Sequence, residues 1–192
     1  LGKIKKMEEQ FLNALNQLGR FGFFTFNTSL SFKASLGKMI INRKNAPFCK
    51  RDPMLKVSYL KRELRWEEGP KDISIHSAIY RKVVRVKVLG FLNLPNFQAL
   101  SASTPPGEEI PFFDRWSLQY QKEIKILRFP QWNPQNRREL FGVVENYNVI
   151  VIPSLGVYFA GRSCGEIVEK ALTLERGAEM ALKYLFIRGR CR

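Results

Sequence analysis

The stretch ISIHSAIYRKVVRVKVL, residues 73–89, decides how the fold is read. It is dense in β-branched residues, and Ile73–Ile75 and Ile79–Leu89 read as strand, interrupted near His76. Val84, Val86 and Val88 then share one face, while Arg81, Arg85 and Lys87 share the other with Val83. A sheet with one apolar side and one basic side is a surface suited to tracking phosphates.

Outward from this stretch the strand pattern continues. Phe24, Phe26, Thr28, Leu30 and Phe32 alternate with polar residues over 21–33. Gly37 marks a turn before a short strand at Lys38–Asn42, and Leu55, Val57 and Tyr59 alternate in the next. Residues 93–116, with Pro95, Pro105, Pro106, Gly107 and Pro111, read as a long loop. Beyond it, 118–129 reads as strand, Phe141–Val144 and Val149–Ile152 as a hairpin, and Leu155–Ala160 as a last strand.

Helices are expected at both ends. Ile4, Met7, Phe11, Leu15 and Leu18 recur at helical spacing before Gly19. Near the other end Ser163-Cys-Gly-Glu166 fits a capping box, and apolar residues follow at helical spacing with a break at Gly177. Strands in series between two helices predict an α+β fold, mainly an antiparallel sheet or sandwich. A single domain over 1–192 is expected: a helix at 1–19, a basic strand-rich half at 20–92, the Pro-rich loop at 93–116, and strands and a helix over 117–192.

Charge gives the functional expectation. The 192 residues carry 32 Lys and Arg against 17 Asp and Glu, a net +15. Residues 33–87 alone hold 15 basic and 5 acidic residues. Clustered cations release counterions together when they meet phosphates, so the expected partner is RNA or another polyanion. The nucleic-acid candidates are Arg43, Lys44, Lys50, Arg51, Lys56, Lys61, Arg62, Arg65, Arg81, Lys82, Arg85 and Lys87. Phe48, Tyr59, Trp66 and Tyr80 lie among them and are candidates for stacking on unpaired bases. Phe112, Phe113, Trp116 and Trp132 are candidate interface anchors, since large aromatics dominate interface cores.

Chemistry is hard to place by motif. His76 is the only histidine and reads as structural. No phosphate-loop, dinucleotide-binding, nucleophile-elbow or H-E-x-x-H spacing occurs, and Glu67–Glu68 and Glu108–Glu109 are neighbours on turns rather than convergent pairs. Cys49, Cys164 and Cys191 are far apart, which predicts neither a zinc site nor a disulfide framework and favours a reducing compartment. The expectation is a noncatalytic RNA-binding structural protein of a ribonucleoprotein or capsid-like assembly. It has no metal, no cofactor, no catalytic residue and no small-molecule substrate, and it assembles with itself or with protein partners. A peripheral, matrix-type protein on anionic lipid and a protein–protein assembly module are the alternatives.

Overall fold

The computed structural model describes residues 2–44, 46, 52–129, 134–153 and 155–190. Helix α1 (Gly2–Arg20) forms where the apolar spacing places it and buries Phe11, Ala14, Leu15 and Leu18. Strands β1 (Ser29–Ser35), β2 (Lys38–Asn42) and β3 (Met54–Ser58) pair as an antiparallel meander. Helix α2 (Ile73–Lys82) leads to β4 (Val88–Leu92), and α3 (Pro95–Ser103) follows. Then come the short α4 (Arg115–Leu118), β5 (Ile124–Ile126), α5 (Pro134–Val144), β6 (Val149–Ile152), β7 (Gly156–Gly161) and the long α6 (Cys164–Arg190).

The seven strands form one mixed sheet in the order β3-β2-β1-β4-β7-β6-β5. All neighbours are antiparallel except β5 and β6, which are parallel. Helices cover both faces. On one, Leu30, Phe32, Val88, Val157 and Phe159 pack with residues of α1, α3 and α6. On the other, Met39, Leu89, Phe91, Tyr158 and Ala160 pack with residues of α2 and α5. Gly90 lets α6 sit close on β4, since a side chain there would press on Ile167 and Leu30.

This overturns the expected antiparallel sheet or sandwich with flanking helices. The decisive stretch is a helix followed by a short strand. Seven of the ten α2 residues are buried, so its apolar pattern carries no solvent face to reveal a helical period. Residues 21–28 form turns, with strand beginning only at Ser29. The long loop contains α3, residues 118–129 hold only the three-residue β5, and Phe141–Val144 closes α5 rather than opening a hairpin. Helix α6 runs unbroken through Gly177, where a side chain would collide with Ser117 of α4. Its predicted capping box forms: Ser163 Oγ accepts from Glu166 N at 3.2 Å, and Glu166 Oε2 accepts from Arg162 N at 2.7 Å.

Candidate active site

With both sheet faces covered, the expected basic sheet surface does not exist. Its residues are dispersed, and several are engaged locally. Arg43 pairs with Asp52 and Glu68, and Lys44 reaches the Glu67 carbonyl. Arg62 pairs with Glu67, and Arg65 reaches Glu68 and the Lys56 carbonyl. Lys56, on β3, and Lys61, just past it, are exposed. Arg81 and Lys82 end α2, with the Lys82 ammonium over the Phe141 ring. Arg85 donates to the carbonyls of Val144 and Glu145 and to Asn148 Oδ1, closing the C-terminal end of α5. Lys87 is exposed just before β4.

Of the stacking candidates, Tyr59 and Tyr80 are buried against each other in the core, and Trp66 is half-buried with its indole N–H on the Ser58 carbonyl. No free ring is offered to a base at these three positions. Phe112 belongs to the core and stacks on Phe97, whereas Phe113 and Trp116 are exposed. Phe48, Lys50, Arg51 and Trp132 lie outside the described residues.

The structure instead gathers a polar cluster between α2 and β1. An α-helix rises about 6 Å over four residues, and a strand about 6.6 Å over two. Positions i, i+4 and i+8 of a helix therefore match alternate positions of a strand packed alongside it. Here Asp72, at the N-terminal boundary of α2, is followed by His76 and Tyr80. Opposite them on β1 stand Ser29, Ser31 and Lys33. Ser29 Oγ donates to Asp72 Oδ2 at 2.7 Å and lies 2.8 Å from His76 Nε2. Ser31 Oγ lies 2.6 Å from His76 Nδ1, and the Tyr80 hydroxyl donates to the Ser31 carbonyl at 2.9 Å. The Lys33 ammonium sits over the Tyr80 ring. This D-x-x-x-H-x-x-x-Y spacing opposite S-x-S was the signal in the sequence, and the strand reading of residues 73–75 concealed it.

The Asp72 carboxylate is the uneven member of the cluster. Its Oδ2 takes the Ser29 hydroxyl, His76 Nε2 at 3.2 Å and the Tyr158 hydroxyl of β7 at 3.3 Å. Its Oδ1 is buried and has no hydrogen-bond partner. Burial alone would raise the Asp72 carboxyl. Attraction to the His76 imidazole, with hydrogen bonds from His76 and Ser29, outweighs that and holds it below the ordinary carboxyl range. Burial drives the Tyr80 phenol strongly upward, so it remains a neutral donor. The Phe91 ring of β4 tilts against Tyr158 at 4.5 Å between centroids, and it fills the space where a Gly156 side chain would lie. The side chain of Asp72 is 12% exposed, and that of His76 is fully enclosed.

Comparison with known proteins gives the family and the fold. Residues 9–182 match the model of the class II aldolase and adducin N-terminal domain. The chain belongs to that family. The fold is similar to the L-fuculose-1-phosphate aldolase of Thermus thermophilus, at 16% identity and a TM-score of 0.80, covering 97% of this chain and 98% of that one. It is also similar to YgbL of Klebsiella pneumoniae, for which aldolase, epimerase or decarboxylase activity is suggested (17% identity, TM-score 0.75, 94% and 90% covered). A sugar-phosphate aldolase of Thermotoga maritima matches at 13% identity and a TM-score of 0.67, covering 96% and 97%. No curated protein sequence matches.

These findings overturn the reading as a noncatalytic RNA-binding component of a ribonucleoprotein, viral or capsid-like assembly, and the lipid-bound and pure assembly alternatives with it. The matched family takes its name from class II aldolases and adducin, and the fold is shared with sugar-phosphate aldolases rather than belonging to an RNA- or membrane-binding structural protein. The composition misled because +15 is a property of the whole surface, and net charge bears on solubility and encounter, not on fold.

The class II designation implies a divalent metal, and the side chains present do not fit one. Imidazole and carboxylate must converge to hold such an ion. The single histidine is enclosed, with both ring nitrogens taken by Ser29, Ser31 and Asp72. Among the described residues no three of His, Cys, Asp or Glu form a metal-holding group. The partners of Asp72 are the Ser29 and Tyr158 hydroxyls and the His76 imidazole, with no second carboxylate among them. Cys164 is buried at the start of α6, its thiol pushed up to about 12 by burial, away from the thiolate a metal needs.

Proposed function

We propose that this chain performs metal-independent proton transfer on a small phosphorylated sugar, of the enolisation or epimerisation kind. The observation that carries the reading is the Asp72 carboxylate, with one oxygen loaded by three donors and the other buried and bare. The loaded oxygen fixes the group in place, and the bare one has no competing partner and acts as a base once the side chains enclosing it part to admit substrate. In the reaction a C–H bond next to a carbonyl breaks, its proton moves to Asp72 Oδ1, and the electron pair passes into the enolate. Return of a proton from Asp72 to the same face completes an exchange with no change in oxidation state, and inversion follows where the proton comes instead from water on the opposite face.

Asp72 is the catalytic residue in this reading. Ser29, His76 and Tyr158 are positioning residues, because they act on the oxygen that does not take the proton. The family and the sugar-phosphate aldolases that share the fold support the substrate class.

The test is solvent exchange. The protein is incubated in D2O with EDTA and phosphorylated ketoses, L-fuculose 1-phosphate among them, and loss of the proton next to the carbonyl is followed by NMR. Exchange that persists in EDTA and falls about a thousandfold in Asp72→Asn is expected. Exchange that requires an added divalent metal, or none with any substrate, sinks the reading.

A further inference from the structure

We propose that Lys33 is a reactive amine that condenses with a small, negatively charged carbonyl compound to form an imine, with Lys87 and Arg162 drawing the anion in. Lys33 lies near the end of β1 and is half-buried. Its ammonium sits between two rings, 5.2 Å from the centre of Tyr80 and 5.9 Å from that of Tyr59. It donates to the Val83 carbonyl at 3.4 Å, a long contact. No carboxylate pairs with it among the described residues, whereas the buried Lys170 has two.

The charge that does stand near Lys33 has the same sign. Lys87, just before β4, is its neighbour across the sheet, where the Lys87 carbonyl accepts from Lys33 N at 2.9 Å. The two rings favour the charged form, and Tyr80 is itself neutral. Burial first, and the Lys87 ammonium second, outweigh them and hold Lys33 below the ordinary lysine range. Desolvation and a neighbouring cation are the two means by which a lysine becomes a nucleophile.

Room for a ligand lies at the same end of the sheet. Lys33, Lys87 and Arg162 line a cavity of about 540 Å³ with Met7, Phe32 and Ser35, within the roughly 300–1,000 Å³ of small-molecule sites. No carboxylate is among the described residues that line it. Lys87 and Arg162 enter no ion pair among those residues either, so the local field favours an anion. Of the electrophiles a free amine takes, a carbonyl needs neither a leaving group nor a co-reactant. The Lys33 nitrogen adds to the carbonyl carbon, and the carbonyl oxygen leaves as water with the two protons of the amine. A C=N bond replaces the C=O bond, with no oxidation or reduction. Tyr80, under the ammonium, is two helical turns, roughly 12 Å, along α2 from Asp72, so the two sites share no reacting atom.

Pyridoxal 5′-phosphate, a phosphorylated aldehyde, serves as the probe. The protein is held with less than one equivalent at about pH 7, the imine is fixed with borohydride, and labelled lysines are mapped by mass spectrometry. Lys33 is expected to take about ten times the label of the exposed Lys61. Relative to Lys61, pyridoxal without the phosphate is expected to label Lys33 about tenfold less. Lys87→Met is expected to cut the labelling of Lys33 about threefold, and Lys87→Arg to restore it. Neither should move the melting temperature, since Lys87 is exposed. Label spread evenly over the lysines overturns the proposal, and so does a Lys33 that labels as fast in Lys87→Met as in the wild type. Equal labelling with and without the phosphate overturns the anionic class of ligand.

Discussion

Two buried ionic clusters tie helices to this sheet, and they differ in completeness. On the α6 face Lys170 is almost fully enclosed and donates to Glu123 at 2.6 Å and Glu166 at 2.9 Å. Glu123 also accepts from Asn148, Glu166 accepts from Arg162 N, and the ammonium lies over the Tyr120 ring. Burial would lower the Lys170 ammonium, but the two carboxylates outweigh it and raise it instead. On the α2 face Asp72 is largely enclosed by hydroxyls and imidazole, yet one of its oxygens accepts nothing. A closed set of donors and acceptors is a fastening. A cluster that keeps one buried acceptor open carries a cost that taking up a proton or a donor would relieve.

The sharpest break in that comparison is the pair Asp72→Asn and Lys170→Ala. Asp72→Asn is expected to abolish about three orders of magnitude of proton exchange at a smaller cost in stability than Lys170→Ala, since asparagine still accepts from Ser29. Lys170→Ala is expected to leave exchange per folded molecule unchanged and to cost about 3 kcal/mol, because two carboxylates lose their common cation. Calorimetry with NMR exchange on both variants distinguishes them, and equal losses of activity would erase the distinction. Phe91→Ala should cost a similar amount, about 3 kcal/mol, by opening a cavity beside Tyr158, which a chemical-denaturation midpoint reads.

How much of this was legible follows from what faces water. Helix α1 and the start of α6 showed themselves because one side of each is solvated and because Ser163 and Glu166 are spaced as a cap. Strands β2 and β3 showed themselves through alternation and the Gly37 turn. Helix α2 did not, because Ile73, Ile75 and Ile79 are β-branched and their helix is buried nearly all round, so neither propensity nor period spoke for it. The site was lost with the helix: Asp72 and His76 converge only at four residues per step. Arg85 illustrates the error over charge. It read as part of a phosphate-binding face, whereas its guanidinium closes the end of α5 against backbone carbonyls.

The acid limb of stability sharpens the comparison further. Asp72 has a depressed pKa in the folded chain, so its contribution is present above the unfolded carboxyl value near 4 and is lost as the pH falls through the folded value. Asp72→Asn removes that dependence. The stability gap between wild type and variant should be wider at about pH 7 than at about pH 3, which urea midpoints measure. A constant gap would mean that the carboxylate's charge contributes nothing there.

The smallest expected effect concerns the start of α6, where the cap and the complete cluster meet in one residue. Ser163 Oγ accepts from Glu166 N, and Glu166 also holds Lys170. Ser163→Ala removes only the cap and should cost about 1 kcal/mol, the usual worth of an N-cap hydroxyl. Because Lys170 still anchors Glu166 when the cap is lost, and the cap still anchors it when Lys170 is lost, Ser163→Ala combined with Lys170→Ala should cost more than the sum of the two, by about 0.5 kcal/mol or more. Proton exchange should not change, since the helix sits on the opposite face of the sheet from Asp72. A fall in exchange as large as that of Asp72→Asn would show that the α6 fastening and the α2 site are one device.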